Sequence, residues 1–319
     1  MAHRLPPSLK RLAAALPWVL LALSTLATMG APLGIYSSHI ERLTHFRLWW
    51  LLLLVVLAIH FTRRRRIAIV LLTLAIAAWS AWPLLPYWSS HRHAEDSTPP
   101  LRVIAWNLLW ENPHKAEALA WLQFQDADLI LLTECTLEWQ RALAPLQDRY
   151  PHRIHSGRDG AEGMWLLSRF PLDPPDPEGI AANKPWISTI VHSTAGPIRV
   201  LGMHPRTPRS GARFDERNAQ YDRAAAVASA ADIPVLLMGD LNCTPFSPWF
   251  ARLLQRGNLS DTAWGFGLTG TWQGQGVRLP IDHILVNNRF HVIERHVELD
   301  FHGSDHRPVT AILSIQSAP

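Results

Sequence analysis

Cysteine is nearly missing from this 319-residue sequence, with Cys135 and Cys243 the only two. Two cysteines cannot build a disulfide framework, and they lack the spacing of a zinc site. They can pair with each other only in an oxidising compartment. Charge is sparse as well, 18% against 48% hydrophobic residues, which excludes a disordered chain and demands burial in a core or a bilayer. Acidic residues are almost absent from the front: residues 1–94 hold ten Lys+Arg and one acid, whereas residues 95–319 hold 20 Lys+Arg and 25 acids. The formal +4 is therefore +9 in front and −5 behind. Without a cationic excess, the back segment cannot work by broad electrostatic coating of nucleic acid, which rests on many cation–phosphate contacts. No internal repeat is visible, and the 225 residues after position 94 suit one domain with a sizeable core.

What is abundant is apolar sequence at the front. Residues 12–38 hold no Lys, Arg, Asp or Glu over 27 positions, a helix of roughly 40 Å that can span hydrocarbon with tilt. It follows Arg4, Lys10 and Arg11, as a signal peptide would, but the run is too long for an h-region and no small-x-small cleavage site follows, so an uncleaved anchor is expected. A second span is expected over 44–62, where the uncharged core from Leu48 to Thr62 is short and the Arg47 stem would reach toward the interface. The third covers 67–88, with Trp79, Trp82, Tyr87 and Trp88 forming an interfacial belt. Between the last two stands Arg63-Arg64-Arg65-Arg66, a block that insertion retains on the cytoplasmic side. With three spans the chain is a multi-pass inner (plasma) membrane protein whose residues after Trp88 are periplasmic or extracytoplasmic. If 44–62 does not span, those residues are cytoplasmic and the arginine block must be translocated. Residues 91–100, ending in Pro99-Pro100, read as a short stiff linker between the membrane segment, 1–90, and a domain over 101–319.

In that domain short apolar runs alternate with amphipathic stretches. Strands are expected over 102–106, 128–133, 164–167, 187–191, 198–203, 235–238, 284–286 and 309–313. Helices are expected over 113–125, 217–228 and 249–255, the last started by Ser247-Pro248. Residues 171–177 read as a surface loop. Several strands end at a polar residue: Asn107, Glu134, His204, Asp240 with Asn242. Strand ends on one rim of a layered sheet converge, so these side chains are expected to form one cluster. Two hard acids, Glu134 and Asp240, and two amides, Asn107 and Asn242, offer oxygen ligands that suit Mg²⁺ or Mn²⁺ rather than zinc. His306, in Gly303-Ser304-Asp305-His306-Arg307-Pro308, and Asp282, after Pro280-Ile281, supply an imidazole and a carboxylate able to orient it.

In Val103-Ile104-Ala105-Trp106-Asn107, Asp128-Leu129-Ile130-Leu131-Leu132-Thr133-Glu134, Gly239-Asp240-Leu241-Asn242, Pro280-Ile281-Asp282-His283-Ile284 and Ser304-Asp305-His306, the chain resembles the endonuclease/exonuclease/phosphatase superfamily, the DNase I-like proteins. The resemblance covers about residues 101–315, and with the membrane segment the chain looks like a bacterial membrane-anchored member. It implies an α/β fold, a four-layer sandwich of two packed β-sheets flanked by helices. It also implies Mg²⁺-dependent phosphoric ester hydrolysis: Glu134 as the principal metal ligand, with Asn107 and Asp305 completing the metal and phosphate shell; Asp240 polarising the attacking water; Asn242 and His204 hydrogen-bonding phosphoryl oxygens; and His306, oriented by Asp282, contacting phosphate or acting as acid/base.

Other residues stand outside that pattern. Arg206 and Arg209 either grip a second phosphate or are solvated. Trp272 either walls the pocket or belongs to the core. Glu111 and Asn112 match only loosely the extra acid of nuclease members, and His114, His152, His155, His192, His291, His296 and His302 read as surface or satisfied histidines. The expected partners are a phosphate ester, from a lipid head group or a nucleic acid, and the bilayer around the N-terminal helices; no protein partner is inferable. The reading from another class is a catalytically idle, membrane-tethered binding module on the same fold.

Overall fold

A computed structural model describes residues 6–89 and 99–316; Arg4, most of the 91–100 linker and the last three residues lie outside them. The described chain divides into two compact units, one formed by the residues up to Pro86 with Phe246–Trp249, the other by Tyr87–Pro245 and the residues from Phe250.

The first unit contains α1 (Pro7–Met29), α2 (Ser38–Thr44), α3 (Arg47–Arg63) and α4 (Ile67–Ala81), with 3₁₀ turns at Ala31–Ile35 and Trp82–Trp88. The apolar run at 12–38 is not one helix: α1 closes at Gly30, whose N–H bonds Leu26 O at 2.9 Å, and a tighter turn containing Pro32 follows. Among the described residues two helices are long and apolar enough to cross a membrane, Arg11–Met29 and Ile67–Trp88, or three if α2 and α3, bent by 62°, count as one span. Arg47 is buried and donates to the Ser80 carbonyl at 3.2 Å. Leu21, Leu54, Leu57, Phe61, Ile76 and Ala77 pack α1, α3 and α4 together, and Arg63–Arg66 stand exposed at the turn between α3 and α4.

The second unit runs β1 (Leu101–Asn107), α5 (Lys115–Phe124), β2 (Leu129–Thr133), α6 (Leu137–Ala142), β3 (His152–His155), β4 (Met164–Ser168), α7 (Pro177–Ala181), β5 (Ile187–Ser193), β6 (Gly196–Gly202), α8 (Gly211–Ser229), β7 (Val235–Asp240), α9 (Pro248–Gly257), β8 (Leu259–Asp261), β9 (Trp272–Gly274), β10 (Val277–Leu279), β11 (Asp282–Asn287), β12 (Phe290–Val297) and β13 (Val309–Ile315). One sheet has the order β12-β13-β1-β2-β4-β3 and the other β5-β6-β7-β11-β8, with β9 and β10 a separate hairpin. Each sheet is mixed and built alike: a central parallel pair, β1–β2 or β6–β7, is flanked by antiparallel neighbours. Alternation along the strands explains the layers. Val103, Ala105, Leu129, Leu131, Val200, Leu236, Met238 and Ile284 fill the space between the sheets. The opposite faces of β1 and β2, through Ile104, Trp106, Ile130 and Leu132, pack on Leu122 of α5 and Trp139 of α6. The expected two-sheet, helix-flanked sandwich is the fold observed.

Differences are local. The helix expected at 113–125 begins only at Lys115, leaving Pro113 before it, and α8 begins at Gly211, where the Ser210 hydroxyl accepts from Arg213 N at 3.3 Å. Residues 171–177 are partly ordered, Leu172 bridging Val191 before α7. The strands β3, β8, β9, β10 and β12 and the helices α6 and α7 add to the expected set. Cys135 and Cys243 are both buried and share no disulfide.

Gly239 has φ +137°, and a Cβ there would lie 2.0 Å from Met203 O, so no side chain fits where β7 passes the end of β6. Gly239→Ala is expected to lower stability by about 2 kcal/mol or more, measured by urea unfolding of the detergent-solubilised chain; an unchanged midpoint would contradict this packing.

Candidate active site

The parallel pairs aim their C-terminal ends at one rim, while β11 and β13, antiparallel to β7 and β1, begin there. Asn107 closes β1, Glu134 follows β2, His204 follows β6, and Asp240 closes β7 with Asn242 beyond it. Asp282 opens β11 directly opposite Asp240 in register, and Asp305-His306 precede β13. Residues 133 positions apart in sequence thus meet: Asn107 Nδ2 donates to Glu134 Oε1 at 3.0 Å and to Asp240 Oδ2 at 3.1 Å.

His306 is tied at both sides, with Nδ1 2.8 Å from Asp282 Oδ2 and Nε2 3.7 Å from Asp240 Oδ2. His204 Nε2 faces the same carboxylates, 3.5 Å from Asp240 Oδ2 and 3.8 Å from Glu134 Oε1. Ser304 clamps the loop, donating to Asn107 O at 2.7 Å while accepting from His306 N at 3.0 Å. Glu134 and Asn242 adopt φ of 57° and 51°, the left-handed region that non-glycine residues seldom occupy. Trp110 N donates to Glu134 Oε2 at 3.2 Å and Asn242 N to Asp240 Oδ1 at 2.8 Å.

A model of the Endonuclease/Exonuclease/phosphatase family matches residues 104–306, spanning all of these side chains. The chain belongs to that family. No curated protein matches it significantly in sequence. Among solved structures it is similar to D. rerio TDP2 complexed with single strand DNA product, at 15% identity and TM-score 0.56, with 67% of this chain and 99% of that one covered. It is similar to sphingomyelinase C from Streptomyces griseocarneus, at 19% identity and TM-score 0.51 over 67% and 99%. A beta toxin mutant from Staphylococcus aureus with bound magnesium ions gives 14% identity and TM-score 0.52 over 69% and 100%. These likenesses are likenesses of fold.

Electrostatics sharpen the family site. Burial pushes the Asp240 carboxyl up to about 7, an effect that the His306 charge opposes and Asp282 reinforces. Burial works against the His306 imidazolium, but Asp282 and then Asp240 overcome it and raise His306 to about 10. His204 goes the other way: burial, with Lys184 and His306 nearby, holds it well below the ordinary histidine range, so it is neutral. Lys184, which no motif flags, is lowered to about 8 by burial. Four carboxyl groups, Glu134, Asp240, Asp282 and Asp305, thus outnumber the two basic side chains His306 and Lys184, and a divalent cation among them would favour their ionised forms.

Donor chemistry agrees with a hard cation, since Glu134, Asp240 and Asp305 offer oxygens. Asp240, Asp282 and His306 present ligand atoms within 4.8 Å of one another, but Asp282 Oδ2 and His306 Nδ1 are spent on each other. Asn107, expected as a ligand, turns its NH₂ edge to Glu134 and Asp240 while its Oδ1 accepts from Leu109 N at 3.0 Å. Asn242 is likewise engaged, donating to Pro205 O at 3.0 Å and accepting from Thr207 Oγ1 at 2.9 Å.

Among the residues outside the family pattern, Trp272 does reach the site: its Nε1 donates to Asp305 Oδ2 at 2.9 Å, and its backbone bridges His306. Arg206 is held by Glu162 and Glu216 rather than offered to a ligand, and Arg209 is exposed. Asn112 is buried in backbone contacts to Leu108 and His302, and Glu111 is exposed. Two residues that sequence reasoning passed over are Thr271, whose Oγ1 accepts from Asp282 N at 3.1 Å, and Lys184.

The raised His306 gives a signed pH dependence. Its pairing with Asp282 stabilises the folded state fully below the unfolded histidine pKa, near 6.5, and that contribution is lost as pH rises through about 10. The Tm gap between the wild-type chain and Asp282→Asn, measured in chelator, should be widest near pH 6 and shrink toward about pH 10; a gap that grows with pH would contradict the pairing.

Proposed function

We propose that this chain is a membrane-anchored, divalent-metal-dependent phosphoesterase that hydrolyses phosphodiester or phosphomonoester bonds by in-line attack of water. The observation that carries this reading is the convergence of Asn107, Glu134, His204, Asp240, Asn242 and the His306–Asp282 pair on one rim. An idle binding module has no need of a buried base, an oriented imidazole and an acidic ligand set together. The named neighbours in fold, a sphingomyelinase and an enzyme complexed with a DNA product, act on phosphoesters, and another carries magnesium.

Glu134 and Asp305, the more open carboxylates of the set at 16% and 40% side-chain exposure, would hold Mg²⁺ or Mn²⁺ beside Asn107. A divalent cation held there would supply charge neutralisation at the non-bridging oxygens. Asp240, with its proton affinity raised toward neutrality by burial, accepts a proton from the attacking water and orients it. His204, neutral and aimed across Glu134 and Asp240, donates to a phosphoryl oxygen as negative charge builds, with Asn242 beside it. His306 carries the positive charge that Asp282 fixes in place and delivers it to phosphate or to the leaving oxygen. Domain and membrane assignments follow the same reading: residues 1–90 anchor, 91–100 link, and 101–319 form the catalytic domain, held outside the cytoplasm by Arg63–Arg66.

Glu134→Gln and Asp240→Asn are each expected to lower hydrolysis of a bis-aryl phosphodiester by about a hundredfold or more without unfolding the chain, and EDTA should abolish it until Mg²⁺ or Mn²⁺ is restored. Unchanged rates in both variants would defeat the reading. A screen against DNA, RNA, phospholipids and phosphorylated sugars identifies the substrate. A C-terminal reporter active only outside the cytoplasm should be active; an inactive one would reverse the orientation.

A further inference from the structure

Lys184 lies between α7 and β5 and is only 3% exposed. Its ammonium offers three donors, yet it makes one long contact, to Ala161 O at 3.5 Å, and among the described residues no carboxylate is within salt-bridge distance of it. Glu162, the carboxylate whose charge acts most on it, is taken by Arg206. A buried cation in that condition is costly, because its desolvation is unrepaid by a partner. The backbone nonetheless holds it there: Gln220 of α8 donates to Lys184 O, and Trp186 N bonds Gly179 O at 3.1 Å.

The position is beside the catalytic rim. The Gly160–Glu162 turn that Lys184 touches is joined to the end of β2 through Cys135 N and Gly163 O at 3.1 Å, next to Glu134. A Cβ on Gly163 would fall 2.1 Å from Cys135 O, so the turn is pressed against that segment. The charges of Glu134 and Asp240 act on the ammonium, and it acts in turn on His204.

We propose that Lys184 is a substrate-binding residue of this site, its ammonium completing its coordination on a non-bridging oxygen of the bound phosphate ester. The proposal rests on the phosphoesterase reading, and it explains why a cation is buried with donors to spare beside a site that must receive an anion.

The test uses the full chain in detergent with Mg²⁺, comparing wild type with Lys184→Met and Lys184→Gln in three measurements: thermal unfolding, calorimetric titration with inorganic phosphate, and hydrolysis of a bis-aryl phosphodiester. Folded variants with Tm at or above wild type, phosphate affinity down about tenfold or more and kcat/KM down by a similar factor are expected. Phosphate affinity within twofold of wild type, no phosphate binding by the wild type, or failure of both variants to fold would each overturn the proposal. If the wild type binds phosphate through Lys184 but hydrolyses no ester, the phosphoesterase reading fails and the anion site stands.

Discussion

A carboxylate removed from water at the end of a central strand must be surrounded by donors and cations, because desolvation otherwise drives it to take up a proton. Asp240 is in that position. It receives Asn242 N at 2.8 Å and Asn107 Nδ2 at 3.1 Å, and it faces His306 and His204. Three of these neighbours are in turn fixed by something else: His306 by Asp282, Asn107 by Leu109 N, Asn242 by Thr207 and Pro205. The second ring of contacts is therefore dictated by the first, and Ser304 and Thr271 belong to it although neither faces a ligand. Breaking one partner of such a network leaves a buried charge exposed to its own desolvation cost, which makes the rim a cooperative unit rather than a sum of contacts.

Sheet architecture makes that concentration of charge possible. A parallel pair ends both its strands at the same edge, and each sheet places its parallel pair centrally. Antiparallel neighbours then return from that edge, so Asp282 enters opposite Asp240 and His306 enters beside Asn107. Four strand ends and two strand starts converge there, and the apolar layer between the sheets fixes the strands that carry them.

The sequence shows most clearly what chemistry constrains most. Asn107, Glu134, Asp240, Asp282 and His306 could be read because an apolar run that stops abruptly at a polar side chain has few other reasons to do so. Edge elements were not legible: β3 reads His-Arg-Ile-His and β12 carries Glu294, Arg295 and His296, so their half-solvated faces lack apolar alternation. Partnerships across long separations were equally hidden. Arg206 looks available in its Pro-rich loop, yet Glu162, 44 positions earlier, takes it. Lys184 carries no local signal at all, since only the fold brings its neighbours to it. The helix end at Gly30 shows the same limit from the other side: hydropathy alone extends the first apolar run, whereas backbone capping ends it.

Glu134 and Asn242 show how the rim is finished. Both must turn the chain immediately after a buried strand while keeping a functional side chain directed at the site, and both do so in left-handed backbone conformation. Glycine would adopt that conformation without penalty, as Gly239 does in its own positive-φ position, but glycine carries neither carboxylate nor amide. The cost of a non-glycine residue there, of order 1 kcal/mol or more, is offset by local hydrogen bonds: Trp110 N to Glu134 and Thr207 Oγ1 to Asn242. Strain accepted at two positions, each one residue or two beyond a strand that the core fixes, is what a fold under selection for stability alone would remove. The same backbone conformation recurs at Leu109, whose N–H holds the Asn107 amide oxygen, and at His302, just ahead of the Ser304 clamp, so the turns that carry the rim share one way of reversing the chain.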